Sequence, residues 1–376
     1  MKKTTLVSAA LAVALLLLFT GCDRSRPRAE GDSLRVVATI FPQFDFVRQI
    51  AGDRVELSML LSPGAESHGF EPTPRDIIAI NNADLLIYVG GHGDTWVGPI
   101  LASLDRDDIR AVALLDLVDA VEQDHFHHGH DHHHGDDHHH GHGHDHHHGH
   151  DHNHGHDHHH GHGHDHHHGH DHHHGHDHHH GHGHDHHHGH DHHHTHHHGE
   201  PHYDEHVWTC PRNAMRIVRA LAETLSELDP GNAYFFRANA SAFIAELEDL
   251  DRAFADMAAN AARTTVVFGD RFPFRYLTDT YGLTYFAAFT GCSAETQASP
   301  ATIAFLIETI RRESIPVVFH IEFSNRLIAN VIAEATGARL LELHSLHNVS
   351  HADFAAGVTY LDLMRRNVET LRQALN

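Results

Sequence analysis

From residue 34 to residue 123 the chain alternates short β-branched apolar runs with segments of helical period. Leu34–Ala38, Val55–Leu60, Leu85–Val89 and Ala111–Leu114 predict strands, with helices at Phe44–Ala51, Pro74–Asn81 and Trp96–Leu104 between them. Such alternation predicts a mostly parallel sheet covered on both faces. The alternation returns late in the chain. Thr265–Phe268, Thr284–Ala287, Val317–Ile321 and Arg339–Leu343 predict strands. Ser299-Pro300 is an N-cap followed by a first-turn proline and opens a helix to about Glu313. Asn325–Thr336 is a helix closed by Gly337, and Asp353–Ala374 is the terminal helix.

Between these halves, His206–Leu228 holds a helix suited to start at Pro211, and Asp229-Pro230-Gly231-Asn232 is a stop-and-start signal. A long helix then runs from about Ala233 to Ala262. Phe236, Ala240, Phe243, Leu247, Leu250, Phe254, Met257 and Ala261 step by three and four along it as one apolar face. About 30 residues at 1.5 Å each make a rod of roughly 45 Å. A rod of that length can cross two lobes; the alternative is an ordinary core helix of one domain. The expected fold class is α/β, with two similar lobes of mostly parallel sheet joined by one long rigid helix. A ligand then sits in the interlobe cleft, near the carboxyl ends of the strands.

The regular pattern breaks once, from His125 to His198. That tract is histidine and aspartate with glycine and little else, and it holds 47 of the 55 histidines. No Lys or Arg occurs between Arg110 and Arg212. Imidazole assisted by carboxylate is the natural ligand set for borderline transition metals, so the tract reads as accessory metal capture. It cannot build a packed core. The formal net charge is −25, and a chain this acidic with no basic stripe argues against a nucleic-acid partner.

Lys2 and Lys3 precede the apolar run Leu6–Thr20, too short for a membrane span of roughly 20 residues. Phe19-Thr20-Gly21-Cys22 looks like a bacterial lipobox, which makes Cys22 the lipidation site. The partition is a lipoprotein signal at 1–22, a tether at 23–33 and the first part of an N-terminal lobe at 34–123. The disordered metal-binding insertion follows at 124–202, the rest of that lobe at 203–232, the connecting helix at 233–262 and a C-terminal lobe at 263–376. Cys210 and Cys292 remain, either joined as a disulfide or as separate thiols.

Candidate ligands stand at the ends of predicted strands. His68 follows Ser62-Pro63-Gly64-Ala65-Glu66-Ser67, and His206 lies in Tyr203-Asp204-Glu205-His206-Val207-Trp208. Phe268-Gly269-Asp270, His320-Ile321-Glu322 and Leu343-His344-Ser345-Leu346-His347 end three strands of the second half. Together they bring imidazoles and carboxylates to one edge of two sheets.

The segments SPGAESHGFEPTPRDI, NADLLIYVGG, YDEHVWTCPRNA, and ETQASPATI with IPVVFHIEFSN behind it resemble the metal-binding receptors of bacterial zinc and manganese ABC importers, in the zinc-uptake branch. The resemblance implies two α/β lobes on a rigid helix with a single metal between them. It matches His68 and His206 to the family's first two histidines. The third stands in a motif reading FHD, where this chain has Gly269. The fourth ligand, usually Asp, matches His344. The first shell it implies is His68, His206 and His344, completed by water or by Glu322 or Asp270, with Glu66 a lesser candidate. His347 and His351 read as solvated loop residues, and Cys210 as an inert thiol rather than a ligand.

Three imidazoles and one oxygen suit tetrahedral Zn²⁺, whereas manganese prefers an oxygen-rich octahedron. The resemblance implies a receptor, not an enzyme, lipid-anchored on the outer face of the cytoplasmic membrane. It captures Zn²⁺ as a monomer and delivers it to an ABC permease with its ATPase. A metal-buffering surface lipoprotein or adhesin is the alternative, and a zinc hydrolase a further one.

Overall fold

The computed structural model describes residues 33–67, 69–104, 106, 108–123, 202–289, 291 and 298–376. Residues 1–32, with the signal, Cys22 and nearly all of the tether, lie outside the described residues, as do His68, Cys292 and the His125–His198 tract.

The first half folds as β1 (Leu34–Ala38), α1 (Phe41–Ala51), β2 (Val55–Met59), α2 (Pro74–Asn82), β3 (Leu85–Tyr88), α3 (Val97–Ser103) and β4 (Arg110–Ala113). All pairings are parallel, in the order β2-β1-β3-β4. After α4 (Pro211–Leu228) and α5 (Ala233–Ala259) come β5 (Thr265–Arg271), α6 (Arg275–Tyr281), β6 (Thr284–Phe289), α7 (Pro300–Glu313), β7 (Val317–His320), α8 (Leu327–Thr336) and β8 (Arg339–Glu342). These four strands are again parallel, in the order β6-β5-β7-β8. Two sheets of the same order make two similar α/β lobes. In each, the chain reverses its direction of strand addition beside the first strand, opening a crevice at the carboxyl ends.

Local chemistry sets the helix ends. Gln43 accepts from Thr39 N (2.8 Å), Thr39 Oγ1 (2.9 Å) and Ile40 N (3.1 Å), so with Pro42 it starts α1 three residues before the predicted Phe44. Thr73 and Asp76 form a capping box before Pro74, and Ser299 accepts from Thr302 N before Pro300. The long helix buries Phe236, Ala240, Phe243, Leu247, Leu250, Phe254 and Met257, the predicted face. Its 27 residues end at Ala259 rather than Ala262, giving a rod of about 40 Å.

Two expectations are corrected. The terminal helix is not continuous over Asp353–Ala374. It is α9 (His351–Ala355) and α10 (Tyr360–Leu375), separated at Gly357, whose φ is 72°, and restarted by the Thr359–Asp362 capping box. A seven-residue helix, α6, stands after Pro273, where none was predicted; Gly282 closes it with φ 69°.

One hydrophobic core runs through α1, α4, α5 and α10 and reaches strands of both sheets. A second bond system crosses the lobes beside it. Buried Asp45 on α1 pairs with Arg48 (2.5 Å) and accepts the first amide of α10, Tyr360 N, at 2.6 Å. Burial pushes the Asp45 carboxyl up, against the pull of Arg48 and of the Tyr360 amide. The ends of the insertion meet at the N-terminal lobe: Gln123 N donates to His202 O (2.7 Å), and Glu122 bridges Tyr203 in antiparallel sense.

Candidate metal centre

His206 is fully buried at the entry to a 3-10 turn, Val207–Thr209, ahead of α4. Its backbone N–H and its Nδ1 both reach Asp204 Oδ1, each at 2.9 Å. The carboxylate can only accept, so Nδ1 carries the proton and Nε2 presents its lone pair. Asp204 is itself secured: its N–H donates to Val121 O (2.8 Å), and Tyr276 Oη donates to its carbonyl (2.7 Å). Gly291 lies against this ring; a Cβ there would stand 2.9 Å from His206 Cε1 and 2.8 Å from Phe272 O.

The adjoining glycine loop is held by acids. Asp94 accepts from Val89 N (2.6 Å) and Gly90 N (3.1 Å), and Glu205 accepts from Gly93 N at 2.8 Å. Burial pushes Asp94 up to about 6, against those two amides and with Glu205 adding repulsion. Burial also raises Glu205.

The ring packed on His206 is that of His347, with centroids 4.7 Å apart and planes at 87°. Trp208 stands edge-on to both, 5.6 Å from His206 and 4.9 Å from His347, and its Nε1 donates to Ser345 O (2.9 Å). His347 Nδ1 lies 2.9 Å from Ser345 Oγ. Ser345 Oγ donates to Glu322 Oε1 at 2.6 Å, and Ser345 N donates to Glu322 Oε2 at 2.6 Å. The hydroxyl has one proton and gives it to Glu322, so it accepts from His347 Nδ1. His347, like His206, thereby presents Nε2.

His344 does otherwise. Its Nδ1 accepts Leu346 N at 3.0 Å, which puts the proton of the neutral ring on Nε2, and Glu322 Oε1 stands 3.6 Å from the same Nδ1. Its backbone is clamped to α10 by Asn367, through N–H to Oδ1 (2.9 Å) and carbonyl to Nδ2 (2.8 Å). The structure thus sets His347, not His344, beside His206. Leu346 explains the exchange: its φ of 66° reverses the loop, and no glycine announces it in the sequence. Ser345 and Asp204 were equally unforeseen as supports of the two rings.

The two carboxylates expected as further ligands each accept backbone N–H groups. Asp270 Oδ1 accepts Arg271 N (2.9 Å) and its Oδ2 accepts Ile321 N (3.4 Å), tying β5 to β7. Glu322 serves Ser345. Glu66, on the opposite wall, faces Arg271 Nη1 at 3.6 Å. Gly269 has no room for a side chain: a Cβ there would stand 2.4 Å from Ala329 Cα on α8. His320 is buried, its Nδ1 3.0 Å from Ile321 O. His351 begins α9 and is exposed. Cys210 is a buried free thiol 3.3 Å from Thr280 Oγ1.

A cavity of about 360 Å³ lies between the lobes, walled by Ala65–Ser67 from the first and by Asp270, Arg271, Glu322 and His347 from the second. The walls are joined at its edge: Asn348 Nδ2 donates to Ser62 O (2.7 Å) and Ala65 O (2.8 Å), and Gly64 N donates to Val349 O (2.7 Å). Among the described residues, no three His, Cys, Asp or Glu side chains converge closely enough to hold an ion by themselves. The chemistry present is two oriented, packed imidazoles, of which His347 lines the cavity opposite Ala65, Glu66 and Ser67.

The chain is 26% identical over 381 residues to the zinc-binding lipoprotein AdcA of Streptococcus pneumoniae, covering 99% of this chain and 61% of the relative. It therefore spans less than two thirds of that protein. It is 26% identical to the high-affinity zinc uptake system protein ZnuA of Bacillus subtilis, covering 96% of this chain and 95% of the relative. Its fold is that of the periplasmic zinc binding protein TroA from Treponema pallidum, with TM-score 0.65 and 20% identity over 92% of this chain and 99% of that one. Residues 36–374 match the ZnuA family, described as the periplasmic component A of the zinc-uptake complex, and the chain belongs to that family.

Proposed function

We propose that this protein is the extracytoplasmic zinc receptor of an ABC importer. Zn²⁺ is its cargo, taken up in the interlobe cleft and delivered to the membrane permease, which a cytoplasmic ATPase energises. His68, His206 and His347 are the proposed ligands, with water in the fourth position. Cys22 is the proposed lipid anchor, placing a monomeric receptor on the outer face of the cytoplasmic membrane. The family is an uptake component rather than an enzyme.

The observation that carries this reading is the matched pair of imidazoles. Each has Nδ1 secured by a buried carboxylate, directly from Asp204 or through Ser345 from Glu322. Carboxylate-backed histidine fixes the tautomer and raises the basicity of the ligating nitrogen. Nitrogen donors suit zinc, which accepts a tetrahedral shell at roughly 2.0–2.1 Å per nitrogen. The His125–His198 tract, in this reading, holds further weak equivalents tethered to the folded body and raises the local zinc concentration.

The test is a zinc titration against a competing chelator, on the full chain and on a variant lacking Asp124–Gly199. The trimmed protein is expected to lose many weak equivalents and keep one tight equivalent. His206→Ala/His347→Ala in the trimmed protein is expected to lose that one too. A double variant that still holds a tight stoichiometric ion overturns the reading.

A further inference from the structure

We propose that Arg271 sets the metal selectivity of the cleft by keeping Glu66 engaged, so that the site favours nitrogen-seeking divalent cations over oxygen-seeking ones. The inference rests on the zinc-receptor reading above and adds a determinant to it.

Three carboxylates line the cavity: Glu66, Asp270 and Glu322. Two are fixed in place by the fold. Asp270 accepts backbone N–H from Arg271 and Ile321, and Glu322 accepts both the N–H and the hydroxyl of Ser345. Turning either toward a cation would strip buried amides of their acceptor. Glu66 stands on the loop after β2, on the opposite wall, with its side chain 54% exposed. Of the three it is much the most exposed, and Arg271 faces it at 3.6 Å.

Arg271 itself is well placed to persist there. Its side chain is 16% exposed, it ends β5 opposite Phe289, and its amide is held by Asp270. A guanidinium stays charged at every physiological pH. A cation that requires Glu66 must therefore displace a fixed positive charge, while one satisfied by imidazoles need not. Manganese belongs to the first class and zinc to the second. The histidines make the site bind; Arg271 decides what it refuses.

The experiment uses the full chain in a Trp96→Phe background, so that Trp208 is the remaining tryptophan of the two in the sequence. Trp208 packs on both His206 and His347, which makes its fluorescence a reporter of this site rather than of the tract. Zinc and manganese dissociation constants are measured by chelator-buffered titration. Arg271→Gln is expected to tighten manganese at least about fivefold more than zinc, the scale of one partly exposed ion pair. Glu66→Gln/Arg271→Gln is expected to return the manganese-to-zinc ratio toward the parent value. Should Arg271→Gln not fold, Arg271→Lys carries the test with a part-way shift of the ratio. An unchanged ratio, or the same shift in the double variant, overturns the proposal. A parent protein whose Trp208 gives no saturable response to zinc overturns the receptor reading and this inference with it.

Discussion

His347 stands edge-on to His206, with ring centroids 4.7 Å apart, and each ring turns its Nδ1 away toward a carboxylate-backed partner. This pairing brings a ring of the C-terminal lobe against the turn that precedes α4. An ion held by both Nε2 atoms would join the two lobes at that point.

The pairing separates two neighbouring histidines sharply. His206→Ala and His347→Ala are each expected to weaken zinc binding by more than about 100-fold, beyond the loss of an outer-shell partner. His344→Ala is expected to shift it less than about threefold and to cost about 1 kcal/mol of stability, from the lost Leu346 amide bond. Chelator-competition titration and urea unfolding check the two arms. Equal affinity losses at 344 and 347 would reject the assignment.

The supports behind the rings should be felt as well. Asp204→Asn removes the acceptor that fixes the His206 tautomer, and Ser345→Ala breaks the link between Glu322 and His347. Each is expected to weaken zinc affinity by about 10- to 100-fold. Circular dichroism should show both folded, so the change reads as ligand orientation.

Gly269 offers a stability test. An alanine Cβ would stand 2.4 Å from Ala329 Cα, backbone that cannot rotate aside. Gly269→Ala is expected to destabilise by about 1–3 kcal/mol or more, read from the urea midpoint. Gly269→His, which restores the residue type the resemblance implies, is expected to destabilise further and not to tighten zinc.

Asp94 gives the pH dependence. Its carboxyl is raised to about 6 by burial, from an ordinary value of 3.8. A folded-state value above the unfolded one means the native state holds the proton more tightly. Its contribution to stability is then full below about pH 4 and is lost as pH rises through about 6. Asp94→Asn cannot titrate. The melting temperature of the variant minus that of the parent is expected to rise between pH 4 and pH 6 and to level off above. A difference that stays flat across this window would reject the role.

The fold was legible because its signals are local and repeated. Four apolar runs in each half, separated by helical segments, imply two parallel sheets, and the seven buried positions of α5 were all in the predicted stripe. The rest depends on backbone angles that side chains do not advertise. Gly357 splits the last helix, and positive φ at Leu346 exchanges the roles of His344 and His347. A motif three residues long, His344-Ser345-Leu346 before His347, carries no period from which to choose between its two imidazoles. The absent histidine at Gly269 was visible, but its cause was not: α8 presses on that position, and only packing reveals it.

The junction of Gln123 with His202, reinforced by Glu122 and Tyr203, separates the fold from whatever is hung between these points. Both stems are already sewn into the domain, so for the stability of the fold, adding or removing repeat units changes the entropy of closing a loop. Each doubling of such a loop costs only about 0.6 kcal/mol. The length of the insertion can therefore change while the folded body keeps its architecture.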